Sequence, residues 1–197
     1  MHALLMGISM AAVLVPTLQL PTERPPRWSS HVVTVWVDPR AAPPGAEPLV
    51  TQALATWTRA AGGRLVLQQT REPNSALVRI RFAPADGVYG ETSPQIDRAT
   101  GTIGSADVLI SGHIAGDALY QRIVIYLTAL HELGHALGLP HTAAFDDIMY
   151  SFRRADDGER YFSAYRRRLR TSDDIGMERA TGLSPADVAA LRALYDR

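Results

Sequence analysis

Residues 131–141 read His-Glu-Leu-Gly-His-Ala-Leu-Gly-Leu-Pro-His, at the end of a long apolar stretch that begins near Asp117. Positions four apart share one face of an α-helix, so His131 and His135 present their imidazoles to one point while Glu132 stands to its side. Two metal ligands and a candidate base thus come from a single turn. A third ligand has to approach from another direction, and Gly138 supplies the break because it tolerates the left-handed conformation that a side chain resists. His141 is then brought back to the same point. Three neutral imidazoles leave the fourth position of a tetrahedral zinc ion open, the arrangement of a catalytic rather than a closed structural site. In a chain of this composition a chance match to all five fixed positions has a probability on the order of 10⁻⁵. The sequence holds no cysteine. Thiolate ligands, a cysteine nucleophile and disulfides are therefore excluded, and a metal must rest on His, Asp or Glu.

Outward from this motif, Asp117 can cap a helix in which Leu119, Ile123, Val124, Leu127, Leu130 and Leu137 recur up to Gly138. It is apolar nearly all round, which predicts a central position. Residues 31–38 (HVVTVWVD) are almost wholly β-branched or aromatic and stop at Pro39, predicting a strand buried on both faces. Pro48 at a first helical position, followed by Val50, Leu54, Trp57 and Ala61 up to Gly62 and Gly63, predicts a helix. Strands are predicted over 64–69 and 76–82. In the second, Val78, Ile80 and Phe82 alternate against Leu77, Arg79 and Arg81, giving one core face and one wet face. Residues 84–101, rich in Gly, Pro, Asp and Ser, read as a long loop, and 102–110 as a fourth strand, weakened by Gly104 and placed at a sheet edge. Leu183-Ser184-Pro185-Ala186-Asp187 announces a last helix, capped by Ser184 and continued by Val188, Leu191, Leu194 and Tyr195. The order β-α-β-β-β-α, then a turn and a C-terminal helix, describes an α+β fold, a twisted mixed sheet of four to five strands with three helices.

The sequence resembles the metzincin zinc peptidases and, among them, the matrixin-like group that includes matrix metalloproteinase catalytic domains. The resemblance rests on HELGHALGLPH at 131–141 and on Asp147-Ile148-Met149-Tyr150, where Met149 follows the third histidine at the spacing of the family's Met-turn. Thr142 after His141 fits matrixins, whose residue there carries a small hydroxyl, and LSPADVAALRALY at 183–195 is similar to the matrixin C-terminal helix. The likeness extends over residues 31–197, strongly in the last third. It implies a zincin-like fold, one zinc ion on His131, His135 and His141, Glu132 as general base, and Met149 as an apolar floor beneath the metal. It also implies that Gly104, Ser105, Ala106, Asp107 and Val108, on the edge strand, pair with an extended polypeptide substrate, and that Asp187 braces the Met-turn. The family's structural-zinc pattern is missing from 84–112, leaving only His113, so one zinc per chain is expected and calcium is not supported. Ala186 stands where the family has an aspartate that pairs with the mature amino terminus. Tyr150 adjoins the methionine, whereas the zinc-binding tyrosine of astacin-like relatives lies two residues beyond it, so Tyr150 is not assigned as a ligand.

A length of 197 residues with 46% hydrophobic and 20% charged residues fits one globular domain beside a short targeting segment. Twenty basic residues, all arginine, balance twenty acidic ones, so no global charge steers the chain toward nucleic acid or an anionic membrane. The uncharged run 3–15 is too short to span a bilayer and suits a signal-peptide core. Residues 1–20 are therefore predicted to be a signal peptide, 21–30 a linker, and 31–197 the catalytic domain of a secreted monomer without stable membrane insertion. With no thiol to block the metal, residues 28–197 are expected to be active without processing. Segment 151–182 mixes eight arginines with Asp156, Asp157, Asp173 and Asp174. It reads as a solvated loop or else as a wall of the substrate cleft, with Arg166, Arg167 and Arg168 favouring acidic residues on the leaving-group side. These features together predict a secreted zinc-dependent endopeptidase. The alternatives are a zinc-stabilised binding or adhesion module without turnover, and a peptidase restricted to one partner protein.

Overall fold

The computed structural model describes residues 25–84 and 88–196. The expected signal segment and residues 21–24 of the linker lie outside the described residues. Strands β1 (Val32–Val37), β2 (Val66–Gln69), β3 (Val78–Ala83), β4 (Gly90–Asp97) and β5 (Thr102–Ser111) form one sheet in the order β2-β1-β3-β5-β4. All neighbours run parallel except β4, which is antiparallel to β5. The sheet is therefore mixed, as expected, with two corrections. The stretch 84–101 contains β4, and this strand, not 102–111, is the edge. Its eight residues GETSPQID hold a single large apolar side chain, Ile96, so hydrophobic alternation could not reveal it. Pro94, unable to donate to a ladder, is tolerated at such an edge.

Residues Val33, Val35 and Val37 of β1, Val78, Ile80 and Phe82 of β3, and Ala106, Val108 and Ile110 of β5 are buried on one face. In β1 the intervening Thr34 and Trp36 are only half-buried. The strand is thus covered on one face rather than both, and its β-branched richness misled the reading. Against the buried face lie α1 (Ala46–Ala61) and α2 (Ala118–Ala136). Helix α1 starts two residues before Pro48 and ends at Gly62, and α2 is capped by Asp117, whose carboxylate accepts the Tyr120 N–H at 2.9 Å. Residues 123–130 of α2 are buried without interruption, which makes it the central helix. The Trp57 indole N–H donates to the Leu130 carbonyl at 2.8 Å and fastens α1 to it. Each such apolar side chain contributes roughly 1.5–3 kcal/mol on burial. Helix α4 (Pro185–Tyr195) carries the expected capping box of Ser184 and Asp187. Helix α3 (Asp157–Arg166), in a segment read as loop or cleft wall, buries Phe162 and Tyr165 and packs on α2.

The end of α2 decides where His141 lies. Gly138 adopts φ +90°, and a Cβ added there would overlap the Pro26 carbonyl. The same junction is clamped by the Trp28 indole N–H on Ala136 O at 2.8 Å and by the Tyr195 hydroxyl on Leu137 O at 3.0 Å. Replacing Gly138 with Ala combines a left-handed penalty with backbone overlap, so Gly138→Ala is expected to destabilise the fold by about 2 kcal/mol or more. Urea denaturation checks this, and a variant as stable as the parent would contradict the assigned turn.

Candidate metal centre

Helix α2 carries His131 and His135 one turn apart, and the turn at Gly138 returns His141 to them. Their ring nitrogens converge, with His141 Nε2 lying 3.2 Å from His131 Nε2 and 3.1 Å from His135 Nε2. Two of the three Nδ1 atoms are committed. His131 Nδ1 donates to the Ile148 carbonyl at 2.6 Å and His135 Nδ1 to the Leu139 carbonyl at 2.9 Å. A carbonyl can only accept, so Nδ1 holds the proton and Nε2 keeps its lone pair, the tautomer a metal requires. Ligands about 2.05 Å from a tetrahedral zinc ion stand roughly 3.3 Å apart. The observed separations fit that ion. Burial lowers the His131 imidazole to about 4 and also depresses that of His135, which keeps both neutral.

Glu132, on the same turn, is buried, and burial pushes its carboxyl up to about 7 against the lowering effect of the Thr92 hydroxyl. These shifts oppose each other in the linkage between stability and pH. Between about 4 and 6.5 the unfolded chain binds more protons than folded His131, so acidification destabilises through that residue. Between 4.5 and about 7 folded Glu132 binds more than the unfolded chain, so acidification stabilises through it. Removing the second effect should expose the first. Chelator-treated Glu132→Gln is expected to lose more thermal stability than the chelated parent between pH 6.5 and 5, and parallel curves would count against these environments.

Met149 is buried beneath the histidine turn, with its Sδ against the bare Cα of Gly134, where an added Cβ would collide with it. The Asp187 carboxylate accepts the Ile148 N–H at 2.9 Å and Ser184 donates to Asp147 at 2.7 Å, so α4 is tied to the turn at 147–150. Gly104, Ser105, Ala106, Asp107 and Val108 lie apart from the histidines. Their strand is flanked by β4 on one side and by β3 and Arg27 on the other, so it offers no free edge to a substrate. The cleft over the histidines has a volume of about 860 Å³ and is bordered by Tyr89–Thr92 of the β4 segment and by Tyr150–Ala155 and α3 on the other side. Segment 151–162 is therefore a cleft wall. The arginines that reach it are Arg153 and Arg154. Arg166 instead pairs with Asp117 at 2.7 Å, and Arg168 borders a separate small hollow with Phe145 and Asp146. Sequence reasoning missed Asp157, whose buried carboxylate accepts the Tyr150 hydroxyl and the N–H groups of Arg153 and Arg154. The pair Asp156-Asp157 ahead of Tyr161, Phe162 and Tyr165 was its only signal.

A family model described as Matrixin matches residues 27–180. The chain belongs to the matrixin family. Among curated relatives it is similar to matrilysin of Felis catus, at 27% identity over 195 residues that cover 90% of this chain and 63% of the relative. It is also similar to matrix metalloproteinase-25 of Mus musculus, at 31% identity over 126 residues, 56% of this chain and 20% of the relative. The chain thus spans less than two thirds of the length of either. Matrixin membership and the three-histidine cluster together define a zinc-binding protease module with a site for one zinc ion. Among the described residues no helix of this matrixin is long and apolar enough to cross a membrane.

Proposed function

We propose that this matrixin is a zinc-dependent endopeptidase in which Glu132 carries the proton between water and the leaving amine. The observation that supports it most is the convergence of three Nε2 atoms, with the Nδ1 protons of His131 and His135 spent on backbone carbonyls, at the floor of a cleft that also holds Glu132. His131, His135 and His141 would hold the zinc, which when bound supplies Lewis-acid polarisation and activation of water. Glu132 would take a proton from the attacking water and return it to the departing nitrogen, a task for which a carboxyl near neutrality is suited. Met149 would serve as the apolar floor, and Asp187 would hold the turn on which Met149 and the Ile148 carbonyl sit.

The open edge of β4 supports an extended polypeptide as substrate. It lies beside the histidines, its far side has no strand partner among the described residues, and a peptide can add there as a sixth strand. The substrate edge read at Gly104–Val108 is therefore moved to Tyr89–Thr92. We assign residues 1–20 as an export signal, supported by the apolar run 3–15, and 31–197 as the catalytic domain. Incubating the zinc-loaded chain with a peptide library and sequencing the products tests the reading. Internal cleavage that a chelator stops and zinc restores is expected, and an intact library would refute it.

A further inference from the structure

Glu132 is 5% exposed, and among the described residues one side chain bonds to its carboxylate, that of Thr92. The Thr92 hydroxyl lies 2.7 Å from Glu132 Oε2 and 3.0 Å from the main-chain carbonyl of the same residue. Thr92 reaches it because β4 presses onto α2 two residues earlier. At Gly90 an added Cβ would stand 2.7 Å from both Glu132 Cγ and Thr128 Cγ2. A side chain at position 90 would lift the strand and take the hydroxyl out of reach.

We propose that Thr92 is a positioning residue that fixes the Glu132 carboxyl group through both halves of its proton transfer, an inference that rests on the peptidase reading above. A threonine hydroxyl has one proton to donate. While Glu132 is a carboxylate, Thr92 donates it to Oε2. When Glu132 accepts a proton from water on its other oxygen, Thr92 still donates to Oε2, so the new carboxyl O–H keeps its aim into the cleft. The same proton then passes to the leaving nitrogen and the carboxylate is restored. Glu132 keeps a partner in each state without changing rotamer, and no proton is lost from the pair.

The test uses the zinc-loaded full chain with Thr92→Val, Thr92→Ser, Glu132→Gln and the Thr92→Val, Glu132→Gln double variant. Thr92→Val is expected to lower kcat about tenfold, the worth of one hydrogen bond to a charged group, with KM within about twofold and zinc content unchanged. Thr92→Ser should recover most of that loss. In the Glu132→Gln background Thr92→Val should bring no further loss, because it acts through the group already removed. An unchanged kcat in Thr92→Val, no recovery in Thr92→Ser, or the same fold-loss in both backgrounds would overturn the inference. A parent chain that cleaves no peptide would instead overturn the peptidase reading itself.

Discussion

Glu132→Gln is expected to cut peptide hydrolysis by ~10²-fold or more while leaving both zinc content and fold in place. The substitution keeps the shape of the side chain and an acceptor oxygen for the Thr92 hydroxyl now 2.7 Å from Oε2, so the contact between β4 and α2 survives. It removes a group that can take and return a proton. A positioned acid-base group contributes ~10²-fold or more to rate, and the loss should fall on kcat rather than KM. Metal analysis and steady-state kinetics on the same preparation separate the roles of base and ligand. Full zinc occupancy with more than about a tenth of the parental rate would remove Glu132 from the chemistry. A loss of zinc would instead make it a ligand.

The converse is expected of His141→Ala. His141 lies beyond the helix on the exposed side of the site, so its loss removes no core packing. It does remove one of three converging nitrogens. If each ligand carries a quarter to a third of the ~10–16 kcal/mol that a zinc site supplies, zinc affinity should fall about 10²- to 10⁴-fold. Hydrolysis should fall with it at limiting metal, while the thermal midpoint of the chelated protein stays near that of the parent. Competition against a chromogenic chelator measures the affinity. An unchanged value would mean that the metal is held elsewhere.

The metal site was legible because it is local. HELGHALGLPH places two ligands by helix periodicity and the third by one glycine turn, and neither step needs the rest of the chain. The capping box at Ser184 and the buried α2 are likewise written in short windows. Strand β4 was not legible, because it owes its conformation to pairing with β5 rather than to its own exposed and polar residues. That omission placed the sheet edge one strand too far inward. Helix α3 was hidden by charge, since six of its ten residues are Asp, Gly, Glu, Arg or Ser, and its aromatic face becomes visible only against the cleft. Thr92 has no sequence signal at all. Its relation to Glu132 exists only because β4 crosses α2 at Gly90.

A zinc titration of the chelator-stripped chain, followed by hydrolysis of a quenched peptide, measures the central claim directly. Activity should be absent at the start, rise in proportion to added zinc, and stop rising at one equivalent per chain, as a single site built from His131, His135 and His141 requires. Hydrolysis that persists without metal, or that rises until two equivalents are bound, would contradict it.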